Sequence, residues 1–265
     1  MGVLNVTPDS FSDGGRHYLL DDALRSAEAM LAAGAVFIDV GGESTRPGAA
    51  PVTADEELRR VLPVVRALVE RGALVSLDSS KPEVITRCLA AGAHLVNDVR
   101  ALALPGALAA VAAGDAAVCL MHMQGDPASM QRDPRYVDPV AEVGAFLAAR
   151  LDACLAAGIH RERLLVDPGF GFGKTLAHNM ALLRGLPRVA ELAGGVPVLA
   201  GLSRKSMIGA LTGRPVGERL AGGLALAIAA LEGGARIIRT HDVAETVDAL
   251  KVWQAFRGAA PAEEA

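Results

Sequence analysis

Gly34-Ala-Val-Phe-Ile-Asp39 decides the fold, because the same phrase returns six more times along the chain. It recurs at Gly72-Ala-Leu-Val-Ser-Leu-Asp78, Gly92-Ala-His-Leu-Val-Asn-Asp98, Gly114 to His122, Gly158 to Asp167, Gly195-Val-Pro-Val-Leu-Ala-Gly201 and Gly234-Ala-Arg-Ile-Ile-Arg239. Each time a stretch of helix-forming small residues ends at a glycine, an apolar run follows, and the run stops near a polar group. Glycine just past a helix supplies the left-handed C′ residue. A short apolar run bounded in this way reads as a parallel strand buried on both faces. An eighth run, Val3 to Asn5, opens the chain with no helix before it. Eight strands alternating with helices predict an α/β fold, a single (β/α)8 TIM barrel with its active site at the C-terminal ends of the strands. Those ends are expected to carry Asn5, Asp39, Asp78, Asn97, His122, Asp167, Arg239 and His241.

The length of 265 residues matches the ~250 typical of one such barrel, so a single domain is expected over residues 1–257, with 258–265 as a frayed tail. Aromatic residues make up only 3% of the chain, which leaves the core to Ala, Val and Leu. The net charge of −4, without basic runs, argues against nucleic acid as a partner. No apolar stretch approaches the ~18 residues that would span a bilayer, and no signal peptide opens the chain. Cys88, Cys119 and Cys154 lie in apolar stretches without ligand spacing and read as reduced core thiols of a cytoplasmic protein. The chain has 22 arginines and four lysines, and three of the four (Lys81, Lys174, Lys205) stand in segments rich in Gly, Ser and Asp. A lysine kept in such a place suggests that a compact ammonium is needed there.

Local signals place the helices. Helices are expected from Asp21-Asp22 to Ala33, from the cap Thr53 to about Arg71, from Pro82, over Pro139–Ala157 and Ala177–Ala193, before the last strand from Gly217 to Gly233, and over Val243–Phe256. Three connections after strands are long: Thr7–Leu20, Gly41–Val52 and Met123–Asp138.

Several segments carry chemistry. In the first loop the amide oxygen of Asn5 suits a hard cation such as Mg2+, which takes few protein ligands when it also holds substrate phosphates; a turn-forming asparagine is the other reading. Gly41-Gly-Glu-Ser-Thr-Arg-Pro-Gly48 offers hydroxyls and a guanidinium for an anion, or simply a stiff surface turn. Asp167-Pro-Gly-Phe-Gly-Phe-Gly-Lys174 fails the phosphate-loop spacing, which would need glycine at Pro168. Its glycines instead let something flat approach the backbone. Asp78, Asn97 and Asp167, at the ends of different strands, suit a heterocycle with N–H donors along one edge, since a carboxylate accepts two parallel N–H bonds. Ser203-Arg-Lys-Ser206 opens a helix after the seventh strand, where an anion is favoured. Arg239-Thr-His241 closes the ring where barrels often bind phosphate. His122 reads as a satisfied core histidine. The residues alone therefore reach a barrel enzyme for an anionic substrate bearing a flat ring, and not the reaction.

Met-Gly-Val-Leu-Asn5-Val-Thr-Pro-Asp-Ser-Phe-Ser-Asp-Gly-Gly15, the loop at Gly41–Gly48, Asp167–Lys174, Ser203–Ser206 and Ile-Ile-Arg239-Thr-His-Asp occur in the order that closely resembles the dihydropteroate synthases of bacterial folate biosynthesis. The resemblance runs from about Gly2 to Trp253. It implies condensation of 6-hydroxymethyl-7,8-dihydropterin pyrophosphate with p-aminobenzoate, with Mg2+, in a cytoplasmic homodimer that sulfonamides target. By that resemblance Asp78, Asn97, Asp167, Lys205 and Arg239 would bind the pterin, with Arg239 stacked beneath its ring. Asn5, Thr45, Arg239 and His241 would hold the pyrophosphate, and Asn5 the metal. Phe11, Arg46, Pro47, Lys205 and Ser206 would receive p-aminobenzoate, and Asp13 would steady a pterin methylene cation. Asn5, Asp13, Lys205, Arg239 and His241 are thus the expected catalytic set. Two departures stand out: Ser79 where the family more often has Thr, and Met1 directly beside the first strand. Corrinoid-linked pterin methyltransferases share the barrel and the Asp/Asn/Asp pocket but not Ser203–Ser206 with both long loops. A non-catalytic pterin-binding paralogue would be marked by a lost loop residue.

Overall fold

Eight parallel strands close into a ring in the computed structural model, which describes residues 1–7, 16–44, 51–127 and 129–258. The strands are β1 (Gly2–Asn5), β2 (Phe37–Gly41), β3 (Leu74–Asp78), β4 (Leu95–Asp98), β5 (Ala117–Met121), β6 (Leu164–Asp167), β7 (Leu199–Gly201) and β8 (Ile237–Arg239). β1 to β6 pair in chain order and β7 pairs with β8, all parallel. Bridges between Val166 and Val198 and between Gly2 and Thr240 complete the circle. At the last seam the Val3 amide donates to the Thr240 carbonyl at 2.9 Å, and the Thr240 amide to that of Met1 at 3.0 Å. The predicted barrel is therefore observed.

The side chains sort by the two-residue period of a strand. Ile38, Val40, Val75, Leu77, Val118 and Val166 point outward and pack against helix residues such as Val61, Leu68, Ile85 and Leu147 in one continuous core. On the inward face Leu95, Cys119, Leu165 and Leu199, with Phe37 and Ile237 beside them, plug the lower end of the barrel. Two residues further along the same inward face the chemistry changes to Asp39, Asn97, Asp167 and Arg239. The strand period itself thus lifts a polar layer above an apolar plug.

The helices are α1 (Arg16–Ala32), α2 (Ala54–Glu70), α3 (Pro82–Ala90), α4 (Ala107–Ala112), α5 (Pro139–Ala156), α6 (Leu176–Arg184), α7 (Leu186–Leu192), α8 (Ser206–Thr212), α9 (Leu220–Glu232) and α10 (Val243–Phe256). Thr53 caps α2 by accepting from the Glu56 amide, Asp138 caps α5 by accepting from Val140 and Ala141, and Pro82 opens α3. Three expectations need correction. α1 begins at Arg16, ahead of Asp21-Asp22. The predicted helix Ala177–Ala193 is two helices, because Pro187 stands at the start of α7 and cannot continue a preceding helix. The stretch expected to be helical from Gly217 opens with a short 3-10 turn, Val216–Glu218, before α9. Of the seven glycines that precede strands, Gly34, Gly72, Gly92, Gly158, Gly195 and Gly234 have positive φ, while Gly114 does not.

Candidate active site

At the C-terminal end of the barrel the strand register lines up one row: Asn5 pairs with Gly41, Gly41 with Asp78, and Asp78 with Asn97. Across the ring Met121 pairs with Asp167, and Gly201 with Arg239. The strands alone therefore bring together Asn5, Asp78, Asn97, Asp167 and Arg239, as expected.

Arg239 organises one side. Its Nε donates to Asp39 Oδ2 at 2.6 Å, and a terminal nitrogen donates to Asp78 Oδ2 at 2.7 Å. Burial alone would lower the pKa of this guanidinium, but Asp39 and Asp78 outweigh it and hold it above its ordinary value. Asp39 is fully buried and also accepts from Ser76 Oγ and, at 3.1 Å, from Asn97 Nδ2. Asp39 was expected at a strand end; the structure places it mid-strand in β2, which continues to Gly41. It faces the barrel interior beneath the mouth and anchors Arg239. Counting by twos from Phe37 would have found this. Asp78 is pushed up to about 7 by burial, with Arg239 opposing. Glycines keep the mouth open: a Cβ on Gly201 would lie 3.9 Å from Asp167 Oδ2 and 4.0 Å from Arg239 Cβ.

The opposite side is built by loops. Asp167 Oδ1 accepts from the Gly169 amide at 2.7 Å, and burial raises its carboxyl above the usual range. Lys205 is pushed down to about 8 by burial, with Asp167 opposing. Its ammonium stands 4.3 Å from the centre of the Phe172 ring, within cation–π range. Phe172 was not singled out from the sequence; no periodicity marks it, because the backbone around it is neither helix nor strand. His122 is buried, as expected of a core histidine, and its ring meets Phe146 edge-on at 4.9 Å.

Ser203 joins the seventh and eighth loops, its Oγ lying 3.1 Å from His241 Nδ1 and accepting from the His241 amide at 3.2 Å. Arg204 pairs with Asp242 across the same gap. His241 is thereby carried on the rim directly beyond Arg239. Ser206 is the first residue of α8 and is exposed. Phe11, Asp13, Thr45, Arg46 and Pro47 lie outside the described residues. Asn5 is half-buried at the end of β1, and its carboxamide makes no hydrogen bond to a described side chain or backbone group. Among the described residues no cluster of three His, Cys, Asp or Glu side chains could hold a metal. A neutral amide oxygen at the mouth fits an ion whose other ligands are phosphate oxygens and water.

A barrel whose mouth joins two carboxylates, an amide, a lysine and a clamped arginine is the architecture of an enzyme for a flat, N–H-bearing ring. The chain belongs to the pterin-binding enzyme family, whose model matches residues 1–241. Proteins similar to this chain include dihydropteroate synthases. That of Escherichia coli (strain K12) is 55% identical over 257 residues, covering 96% of this chain and 90% of the relative. Among solved structures, the dihydropteroate synthase of Yersinia pestis with a sulfonamide drug complex has a TM-score of 0.91 at 53% identity, covering 97% of this chain and 93% of that one. The Burkholderia cenocepacia dihydropteroate synthase complexed with 7,8-dihydropteroate has a TM-score of 0.88 at 50% identity, covering 98% and 91%.

Proposed function

We propose that the chain condenses 6-hydroxymethyl-7,8-dihydropterin pyrophosphate with p-aminobenzoate to give 7,8-dihydropteroate and pyrophosphate, the transferase step of dihydropteroate synthesis. The observation that carries this reading is the convergence of Asp78, Asn97, Asp167 and Lys205 around Arg239 at the barrel mouth. The carboxylates and the amide accept the amino and ring N–H groups of the pterin, while Lys205 donates to its acceptor edge. Arg239, pinned by Asp39 and Asp78, presents its guanidinium beneath the ring.

The methylene C–O bond breaks first, its electron pair leaving on pyrophosphate. Arg239 and His241 meet the departing charge where it develops. Asn5 would hold Mg2+ together with pyrophosphate oxygens, and the ion, when bound, neutralises leaving-group charge. Thr45 would add a hydroxyl to the same anion. The pterin methylene cation, steadied by Asp13, is then attacked by the amine of p-aminobenzoate; a C–N bond forms and the amine releases a proton. Ser206 and Arg46 take the carboxylate of p-aminobenzoate, with Phe11, Pro47 and Lys205 around its ring. No protein nucleophile takes part. Sulfonamides compete for that second pocket.

The assembly we favour is a homodimer through α9 and α10. Their outer face carries Leu224, Ile228, Val252 and Phe256, with Val252 72% and Phe256 84% exposed. Clustered exposure of this kind marks an interaction surface. Among the described residues no helix is long and apolar enough to cross a membrane. The buried free thiols Cys88, Cys119 and Cys154 suit a cytoplasmic setting.

The deciding measurement is pyrophosphate release from the pterin pyrophosphate with and without p-aminobenzoate, in Mg2+ and in EDTA. Release coupled to a dihydropteroate product and lost in EDTA is the expected result. Binding of the pterin without turnover would favour a non-catalytic pterin-binding protein.

A further inference from the structure

Lys174 is a buried cation that the reaction does not use. It is 3% exposed, and among the described residues no carboxylate lies within ion-pair distance of it. Its ammonium is 2.9 Å from His122 Nδ1, 2.9 Å from the Gly169 carbonyl, 2.9 Å from the Phe172 carbonyl and 3.3 Å from the His122 carbonyl. Three N–H donors thus face four acceptors, a filled shell. As an ammonium Lys174 can only donate, so in that state His122 Nδ1 accepts and the imidazole proton sits on Nε2. Burying an ammonium is costly unless every donor is used. Here burial pushes Lys174 down to about 7, against the pull of Asp167.

What the fold obtains in return is an inner brace for a loop that Asn179, accepting from the Gly171 amide at 2.8 Å, and Tyr136, donating to the Gly173 carbonyl at 3.0 Å, hold from the other side. Gly169, Gly171 and Gly173 have φ of 69°, 82° and 62°. A Cβ on Gly169 would fall 1.9 Å from the His122 carbonyl, and one on Gly173 would fall 2.5 Å from that of Gln124. Gln131 and Tyr136 donate to the carbonyls of Gly171 and Gly173, which leaves those of Gly169 and Phe172 to a buried donor. Lys174 takes the carbonyls of Gly169 and Phe172, one near each end of the loop. From those two residues the contacts run outward into the pocket. The Gly169 amide holds Asp167, and the Phe172 ring supports the ammonium of Lys205. The Lys205 stem also packs here, 3.3 Å from where a Cβ on Gly171 would lie.

We infer that Lys174 is a positioning residue for the pterin pocket, its ammonium standing where a carbonyl-bound small cation would and holding the loop Pro168–Gly173 so that Asp167 and Lys205 meet the ring. The inference rests on the assignment of Asp167 and Lys205 to the pterin. Because the ring is bound alike in the ground and transition states, loss of this alignment reads as substrate affinity more than as turnover.

The test compares Lys174→Met, Phe172→Leu, Asp167→Asn and Leu147→Ala by calorimetric titration with pterin pyrophosphate, steady-state kinetics and thermal melting. Leu147, fully buried on α5, supplies a destabilised variant that removes no group bonded to Lys174. Lys174→Met is expected to weaken pterin binding at least tenfold and raise the pterin KM equally, with kcat falling less than threefold. Leu147→Ala melts earlier but binds pterin within twofold of the parent. Lys174→Met binding within twofold of the parent, or Leu147→Ala losing as much affinity as Lys174→Met, overturns the inference. Should Lys174→Met fail to fold, Phe172→Leu leaves all four Lys174 contacts in place and is expected to cost three- to fivefold in pterin affinity. Unchanged affinity there breaks the path to Lys205. Unchanged affinity in Asp167→Asn would instead sink the pocket assignment itself, so the two failures are distinguishable.

Discussion

The two walls of the pocket are built on opposite plans. On the strand-built wall, side chains hold side chains: Arg239 clamps Asp39 and Asp78, and Asp39 in turn holds Ser76 and Asn97. On the loop-built wall, backbone holds side chains: an amide fixes Asp167, and carbonyls gathered by Lys174 fix the loop under Lys205. The first plan couples binding to the stability of the barrel, because its charges are one another's counter-ions. The second couples them less, because among the described residues Asp167 and Lys205 attract each other without forming a close ion pair. Damage to the first wall should therefore show in melting, and damage to the second in affinity.

Arg239→Met is the largest expected effect and strikes the first wall. It strands the fully buried Asp39 and leaves Asp78 without its partner. Breaking a buried pair by removing one member costs about 3–5 kcal/mol, or roughly 6–20 °C in melting midpoint for a chain of this size. Turnover should vanish with it. Scanning calorimetry checks the first claim, and adding Asp39→Asn to the variant should return part of the lost midpoint. An Arg239→Met protein that melts like the parent would mean that the network is not what holds this wall.

Asp167→Asn addresses the second wall and should separate the two readouts. Loss of a charge-assisted hydrogen bond to the ring, about 1.5–3 kcal/mol, predicts pterin affinity lower by roughly 10- to 150-fold. Stability should move the other way. Burial raises the Asp167 carboxyl above its ordinary pKa, so its contribution to folding is present in acid and is lost as pH rises through the raised value. Above that value the ionised, desolvated group works against the fold, and a neutral amide relieves that. The variant should melt at or above the parent midpoint at pH 7.5, with the advantage shrinking as pH falls. A midpoint lowered as far as in Arg239→Met would erase the distinction between the walls.

The same division explains what could be read from the chain before its structure. The strand-built wall was legible, since a recurring glycine, apolar run and polar stop locates Asp78, Asn97 and Arg239 at one end of a barrel, and the same rule finds Asp167, the one strand-end residue of the other wall. The cap at Thr53 and the helix starts at Pro82 and Pro139 were legible for a similar reason: each is a local rule with a local cause. Asp39 was misplaced by two residues because the apolar run stops before β2 does; Val40 and Gly41 continue the strand beyond the carboxylate. The role of Lys174 was hidden, since its acceptors are three backbone carbonyls and a histidine nitrogen, brought together by positive-φ glycines in a segment that is neither helix nor strand. Phe172 was hidden with it. The break at Gly185 in the sixth crossover was in plain view as Pro187, which suits the first turn of a helix and not the middle of one.

Ser206→Ala is the smallest and sharpest test, because Ser206 belongs to neither wall. It opens α8 beyond Lys205 and is exposed, so its removal should leave the melting midpoint where it was. If it receives the carboxylate of p-aminobenzoate, the lost bond to a charged group is about 1.5 kcal/mol, roughly a tenfold rise in KM for that substrate. The pterin KM should stay within twofold, since both walls remain intact. Lys205, the adjacent residue, makes the comparison exacting: Lys205 faces Phe172 and the loop-built wall, and its loss should register on the pterin, whereas a change one position along should register only on the amine. Equal rises in both KM values would show that Ser206 acts by shaping the turn that carries Lys205, and would move it from the second substrate to the first.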